Sequence, residues 1–145
     1  MFNSILVVCV GNICRSPTGE RLLKNYLPTK DISSAGLSAV VGDPANRMSR
    51  EVAEANGLSL EGHIARQVTP ELCRSNDVIL VMERRHINAI CALCPEARGK
   101  TFLLGHWLDQ KEIPDPHRKS KEAFDFVYEL INKSAISWSK ALNDN

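Results

Sequence analysis

The fold is decided by a stretch near the start of the chain, the apolar run Ile5-Leu6-Val7-Val8 followed by Cys9-Val10-Gly11-Asn12-Ile13-Cys14-Arg15-Ser16 and then Pro17. Consecutive apolar residues rich in β-branched side chains are typical of a strand buried on both faces of a parallel sheet. We expect a helix that begins at Pro17, because the missing proline N–H costs no hydrogen bond there. Cys9 then lies at the carboxyl end of the strand, where open α/β sheets bind ligands.

The loop after Cys9 has the composition of an anion site. The following helix directs free N–H groups and its positive dipole end toward the loop. Arg15 adds a planar guanidinium that binds two phosphate oxygens at once, and Gly11 and Asn12 suit positive φ angles in the turn. We expect the other loop residues to line the same site, namely Val10, Ile13, Cys14 and Ser16.

Cys9 is the candidate nucleophile of this loop. A helix N-terminus and a nearby cation both favour the reactive thiolate, and the Ser16 hydroxyl is placed to donate a hydrogen bond to the sulfur. Cysteine at the end of a buried strand is more often a packing residue, so the hypothesis depends on the spacing to Arg15 and Ser16. Cys14 has two open interpretations, as a loop filler or as a thiol that forms a reversible disulfide with Cys9.

Length and charge limit the class of protein. The 145 residues suit a single domain over 1–145, and 18 basic against 17 acidic residues leave a net charge of +1. Such a balance does not favour nucleic acid or an anionic membrane surface. No apolar run approaches the ~20 residues of a membrane span. We expect a cytoplasmic monomer that does not insert into a membrane or bind nucleic acid.

The five cysteines are interpreted as free thiols, because their count is odd and the chain looks intracellular. Cys91 and Cys94 form a single C-x-x-C without a second pair or a histidine pair nearby, so we expect core or surface thiols. No metal and no cofactor are expected. The two tryptophans, Trp107 and Trp138, are interpreted as core residues.

Strand and helix patterns alternate along the rest of the chain. After a first helix that extends to residue 26, we expect strands over 31–34, 77–82 and 101–104 and helices over 46–56, 69–75, 83–93 and 120–142. The last helix carries an apolar stripe that we expect to pack on the sheet, made of Phe124, Val127, Ile131, Ala135, Trp138 and Leu142. This alternation predicts an α/β fold with a parallel sheet covered by helices on both faces.

The stretch from Cys9 to Pro17 resembles the phosphate-binding loop of the low-molecular-weight protein tyrosine phosphatase family. Other segments fall where that family has its further signatures, namely Ser34-Ala35-Gly36, Gly62-His63-Ile64-Ala65-Arg66, 77–82 and Ile113-Pro114-Asp115-Pro116. Two more are similar to bacterial members associated with exopolysaccharide or capsule production, namely Ser59-Leu60-Glu61-Gly62-His63 and Gly105-His106-Trp107.

The resemblance implies a fold and a mechanism. The expected fold is one three-layer domain around a four-stranded parallel sheet in flavodoxin-like order. Cys9 is expected to attack the phosphorus of phosphotyrosine while Arg15 and the loop amides hold the oxygens. Asp115, which without the resemblance would be a turn residue between prolines, is expected to protonate the tyrosyl oxygen and then to activate water. The implied partner is a phosphotyrosine protein, for the bacterial members a membrane tyrosine autokinase.

The residues around the substrate ring are expected from the same resemblance. His117 stands where the family usually has tyrosine or another large aromatic residue, so the ring would stack on a smaller imidazole. Leu37, with Val40 and Val41, is expected to form the opposite apolar wall. His63 and Arg66 are interpreted as a brace behind the loop.

Three alternative functions stay open at this point. A phosphoarginine phosphatase resembles the same family but tends to have threonine where Ile13 stands. An arsenate reductase on the same fold needs further cysteines near the helix after the third strand, and the 91/94 pair has the wrong spacing. A non-enzymatic phosphopeptide-binding module requires neither a nucleophile nor an acid, so Cys9 and Asp115 argue against it.

Overall fold

Strands and helices alternate as the sequence predicts. In the computed structural model, which describes residues 2–143, they are, in chain order, β1 (Ser4–Cys9), α1 (Arg15–Tyr26), β2 (Asp31–Gly36), α2 (Arg47–Ala55), α3 (Pro70–Ser75), β3 (Val78–Val81), α4 (Arg84–Leu93), a 3₁₀ helix (Pro95–Lys100), β4 (Thr101–Leu103) and α5 (Lys121–Leu142). The 3₁₀ helix is not among the elements that the sequence predicts.

The four strands form one parallel sheet in the order β2-β1-β3-β4, which confirms the expected α/β architecture. At the carboxyl edge Cys9 lies beside Gly36 of β2, and Val8 lies beside Val81 of β3. β2 pairs with one edge of β1 and β3 pairs with the other edge, so the strand order reverses direction at β1. The switch point of the topology therefore lies next to Cys9, where such sheets bind ligands.

Two apolar clusters cover the two faces of the sheet. Alternate β1 residues contribute to each, because successive strand side chains point to opposite faces. Ile5 and Val7 belong to the larger cluster with α1, α2 and α5. Leu6 and Val8 belong to the smaller cluster with α3, α4 and the 3₁₀ helix. The result is the three-layer arrangement that the sequence predicts.

Two expectations about the elements need correction, the start of the first helix and the burial of Trp107. Helix α1 begins at Arg15, so Pro17 is its third residue; a proline is tolerated there because the first N–H groups of a helix have no intrahelical partner. The α5 stripe is buried in one cluster with Ile5 and Val7 of β1, as expected, and α5 also packs on α1 and α2. Its direct contact with the edge of the sheet includes Trp138, whose Nε1 donates to the Leu104 carbonyl at 2.8 Å. Trp107 is 52% exposed and is not a core residue.

The remaining sequence features concern the cysteines, possible metal ligands and long helices. All five cysteines are buried, and Cys91 and Cys94 are core thiols as expected. Within the described part of the chain, no group of three His, Cys, Asp or Glu side chains is placed to hold a metal ion. No helix among residues 2–143 combines the length and apolar composition of a membrane span.

Candidate active site

The loop between β1 and α1 places the Cys9 thiol against the first turn of α1. Its sulfur lies 2.9 Å from the hydroxyl of Ser16, the second residue of the helix. The loop turns through Asn12, which has a φ of 57°. Gly11 does not have a positive φ, so the expectation of two left-handed residues was wrong for Gly11 and correct for Asn12. A side-chain amide makes this conformation less costly for asparagine than for most residues.

Asn12 holds the loop from behind through its side chain. The side chain is fully buried, and its Nδ2 donates to the Ser16 hydroxyl at 2.8 Å and to the Ser34 hydroxyl at 3.0 Å. Ser34 in turn donates to Glu20 Oε1 at 2.7 Å. Because buried polar groups are costly when unpaired, this closed network fixes the loop in one conformation.

His63 and Arg66 form the predicted brace behind the loop. The His63 Nε2 donates to the Asn12 carbonyl at 2.6 Å. The Arg66 backbone N–H donates to Asn12 Oδ1, and the Arg66 guanidinium donates to the Ser34 carbonyl, both at 2.9 Å. The first two of these three hydrogen bonds hold Asn12 of the loop, and the third ties the same segment after α2 to β2. They therefore support the loop from behind.

Arg15 is held on the side away from the loop by groups that sequence reasoning missed. Its Nη1 donates to Glu83 Oε2 at 2.6 Å and to the Ile113 carbonyl at 2.8 Å, and its side chain is 2% exposed. Two contacts on Nη1 fix the plane of the guanidinium and leave Nε and Nη2 as the fork for an oxyanion. Glu83 follows β3 by two residues at the same sheet edge as Cys9, a placement that could have indicated it.

Glu83 is ionised, and its orientation depends on His86. Burial alone raises the pKa of Glu83, but hydrogen bonds from Arg15 and Arg85 outweigh it and hold the pKa below its usual range. The Glu83 backbone N–H donates to His86 Nδ1 at 3.2 Å. Burial, helped by the Arg15 charge, lowers the pKa of His86 to about 4. His86 is therefore neutral at physiological pH, which keeps Nδ1 free to accept.

Asp115 faces Arg15 from the loop before α5. Its Oδ2 lies 3.9 Å from Arg15 Nη2, and the carboxyl side chain is 46% exposed. The other oxygen, Oδ1, accepts the backbone N–H of His117 at 3.0 Å. The structure therefore brings together the three residues that the sequence singled out, with Asp115 at the solvent side of the site.

The Cys14 side chain lies on the buried side of the loop. Burial raises the pKa of Cys14 to about 12, although a hydrogen bond from Ser49 acts in the other direction. The Ser49 hydroxyl donates to the Cys14 sulfur at 2.9 Å. Cys14 is therefore a neutral packed thiol in this state, and a disulfide with Cys9 stays a prediction.

The expected walls around the site differ in exposure. Leu37 is half-buried and packs against the smaller apolar cluster. Val40 is 43% exposed, and its backbone N–H donates to the Gly11 carbonyl at 3.1 Å, so it lies beside the loop. Val41 is more exposed, and His117 is exposed above Asp115. Contact of Leu37 and His117 with a substrate ring stays a prediction.

The site combines a thiol, a guanidinium and the backbone amides of a loop, with an exposed carboxyl group opposite them. These groups define a class of enzyme in which a cysteine accepts a phosphoryl group while the amides and the guanidinium hold its oxygens. The model of the low molecular weight phosphotyrosine protein phosphatase family matches residues 4–145. The chain belongs to this family.

Individual relatives agree with this assignment. Over 143 residues the chain is 57% identical to the low molecular weight protein-tyrosine-phosphatase Wzb of Escherichia coli K12, covering 99% of this chain and 97% of the relative. The structure of Wzb from Escherichia coli K30 in complex with sulphate matches with a TM-score of 0.97 at 55% identity, covering 99% and 100% of the two chains. The YwlE arginine phosphatase of Geobacillus stearothermophilus matches with a TM-score of 0.90 at 29% identity, covering 98% and 93%.

Proposed function

We propose that this protein hydrolyses phosphotyrosine in proteins through a cysteinyl phosphate on Cys9. The Cys9 sulfur attacks phosphorus, the new S–P bond forms, and the bond from phosphorus to the tyrosyl oxygen breaks. The free face of Arg15 and the N–H groups of the loop hold the equatorial phosphoryl oxygens, where negative charge concentrates in the transition state. The Ser16 hydroxyl, 2.9 Å from the sulfur, stabilises the thiolate by hydrogen bonding.

Asp115 acts in both halves of the proposed reaction. Its carboxyl group gives a proton to the departing tyrosyl oxygen, which then leaves as neutral tyrosine. The resulting carboxylate takes a proton from the water that attacks the phosphocysteine, and inorganic phosphate and free Cys9 result. Its half-exposed position beside Arg15 supports this role, because both a leaving group and water reach it from solvent.

The observation that carries the proposal is the convergence of Cys9, Arg15 and Asp115 at one sheet edge although Asp115 is a hundred residues away in sequence. The Ser16 contact to the sulfur and the Arg15 contact to Asp115 both lie within this convergence. The sulphate complex of Wzb from Escherichia coli K30 supports the anion-binding part.

The test is hydrolysis of a phosphotyrosine peptide in the presence of a metal chelator, comparing wild type with Cys9→Ser and Asp115→Asn. We expect wild-type turnover, loss of turnover in Cys9→Ser and a decrease of about 10² to 10⁴ in Asp115→Asn. A wild-type protein without turnover, or a Cys9→Ser variant that keeps it, contradicts the proposal. Equal activity of Asp115→Asn assigns the proton transfer to another group.

Phosphotyrosine is the proposed substrate in preference to phosphoarginine. The apolar Ile13 stands in the loop where arginine phosphatases tend to have threonine, and the chain is 29% identical to an arginine phosphatase against 57% to a tyrosine phosphatase. Turnover of matched peptides that carry one or the other phosphoresidue tests this choice. A higher kcat/KM for phosphoarginine overturns it.

The proposed physiological substrate is the phosphorylated tail of a membrane tyrosine autokinase that controls exopolysaccharide production, with the phosphatase acting from the cytoplasm. The segments at 59–63 and 105–107, which are similar to the exopolysaccharide-associated members, support this proposal. Incubation of such a phosphorylated kinase with wild type and Cys9→Ser tests it. We expect loss of the kinase phosphotyrosine with wild type alone; unchanged phosphotyrosine with an otherwise active enzyme contradicts it.

A further inference from the structure

A groove of about 460 Å³ lies beside the candidate active site, between the start of α2 and the loop before α5. One wall carries Arg47 and Met48, and the other carries His117, Arg118 and Lys119. Its volume lies within the roughly 300–1,000 Å³ of ligand clefts. We call this surface, 46–51 and 117–119 with Phe124, the basic groove.

Both walls of the basic groove are anchored to the active site. On the first wall, the Asn46 backbone N–H donates to the Ile13 carbonyl of the loop at 2.6 Å. On the second wall, the His117 backbone N–H donates to Asp115 Oδ1 at 3.0 Å. Both walls therefore lie next to the loop and Asp115, so the groove is close enough to receive residues that neighbour the one bound in the loop.

The basic groove carries cations that the fold does not use. Among residues 2–143, the structure gives the Arg118 and Lys119 side chains no hydrogen bond or ion pair, and residues 117–119 are exposed. Arg47 is 85% exposed, and its only ion-pair partner in the described chain is Glu51 at 3.2 Å. Three cations thus face one carboxylate in the groove, whereas the whole chain is almost neutral.

Arg118 also adopts a backbone conformation that favours glycine. Its φ is 62°, in the left-handed region that arginine rarely enters. The turn at this position therefore presents a long side chain whose charge has no hydrogen-bond or ion-pair partner among residues 2–143.

We propose that the basic groove binds acidic residues next to the phosphotyrosine of the substrate protein, so that Asp or Glu side chains pair with Arg118 and Lys119. This inference rests on the proposed function. Met48 and the nearly buried Phe124 give the groove an apolar part for the peptide backbone and side-chain stems. Opposite charge across such a surface gives selectivity and faster association more than tight binding.

The test compares kcat/KM for two phosphotyrosine peptides of equal length, one flanked by Asp and Glu and one by Ser and Gln, in wild type and in R118E/K119E. We expect wild type to prefer the acidic peptide about three- to tenfold at low salt, chiefly through KM, and R118E/K119E to lose or reverse this preference. The matched control is R98E/K140E, which reverses two exposed charges outside the groove.

Each outcome of this comparison either supports or overturns the proposed role of the basic groove. A preference that disappears in R118E/K119E and persists in R98E/K140E supports the groove. Wild-type turnover without a preference for the acidic peptide, or a preference that survives in R118E/K119E, overturns the groove while leaving the proposed function intact. Loss of the preference in both variants assigns it to net charge and also overturns the groove. A wild type that hydrolyses neither peptide contradicts the proposed function itself.

Discussion

At the scale of single residues, the site depends on how Arg15 is held. The guanidinium is 2% exposed and carries a full charge. A buried charge without a partner would destabilise the folded protein. Glu83 compensates that charge at 2.6 Å and also directs the free face of the guanidinium toward the loop. We therefore propose that Glu83 is a positioning residue, which acts on catalysis through Arg15.

Replacement of Glu83 by glutamine tests this positioning role. Glu83→Gln keeps an oxygen acceptor but removes the charge, so Arg15 is held less firmly and its oxyanion fork loses its orientation. We expect kcat for a phosphotyrosine peptide to fall by about 10²-fold, the cost of a misplacement of about 1 Å. The measurement is steady-state kinetics on variants shown to be folded by circular dichroism.

The control for this change is Glu96→Gln. Glu96 also pairs with an arginine, Arg74, at 3.1 Å, but both side chains are exposed and lie away from the loop. We expect its kcat to equal that of wild type. A Glu83→Gln enzyme with wild-type kcat would show that the charge of Glu83 is not needed to orient Arg15.

The site residues that the sequence predicts lie close together in the chain, whereas those that it does not predict lie far from the residue they contact. Cys9, Arg15 and Ser16 were predicted together because a short loop between a buried strand and a helix fixes their proximity. Glu83 reaches Arg15 across 68 residues and the Ile113 carbonyl across 98, and no local pattern encodes such pairs. Asp115 was placed through the resemblance, because an aspartate between prolines has no local signal for catalysis.

At the scale of elements, the end of β2 supports the loop by close approach. A Cβ added to Gly36 would lie 2.5 Å from the Val10 carbonyl oxygen and 3.0 Å from atoms of Asn12. The backbones of β2 and the loop therefore pack together without room for a side chain, and the position of the loop depends on the glycine.

Replacement of Gly36 by alanine is expected to displace the loop. We expect Gly36→Ala to lower kcat/KM by about one to two orders of magnitude and the unfolding free energy by about 1–3 kcal/mol, because backbone atoms of the loop must shift. The matched control is Gly99→Ala, where no atom lies within 4 Å of the added Cβ. Wild-type activity in Gly36→Ala, measured with urea denaturation alongside, would contradict this account of loop support.

The elements themselves were largely predictable because each buried strand is a short apolar run and most helices carry capping residues. Thr69 caps α3 through its hydroxyl, and Asn46 caps α2 through its side-chain oxygen. The start of α1 was misplaced because proline is tolerated throughout the first turn, so Pro17 does not fix the first residue. The exposure of Trp107 depends on tertiary packing that its local sequence does not encode.

At the scale of the whole molecule, His86 links stability to pH. The pKa of His86 falls from 6.5 to about 4 on folding because the ring is buried. Between these values the unfolded chain binds a proton that the folded chain does not, so the unfolding free energy rises with pH. This contribution is fully present above pH 6.5 and is lost as the pH falls toward 4. Glu83, with its lowered pKa, acts in the same direction at lower pH.

A comparison of wild type with His86→Asn isolates this effect. Asparagine keeps a short polar side chain near the Glu83 N–H but does not titrate. We expect the unfolding free energy of wild type to decrease by about 2 kcal/mol more than that of His86→Asn between pH 7 and pH 5. Urea denaturation at the two pH values measures it, and equal decreases in the two proteins would show that His86 is not held neutral by the fold.

The central claim, that Cys9 carries the phosphoryl group, is tested most directly by trapping the intermediate. Wild type, Asp115→Asn and Cys9→Ala are mixed with a phosphotyrosine peptide, quenched in acid within the first turnover and analysed by intact mass and peptide mapping. We predict one phosphoryl group on Cys9 in wild type and none in Cys9→Ala. If Asp115→Asn slows hydrolysis of the intermediate more than its formation, the phosphorylated fraction is larger in that variant. Undiminished turnover in Cys9→Ala, or a phosphoryl group mapped to another residue of the wild type, would contradict the account.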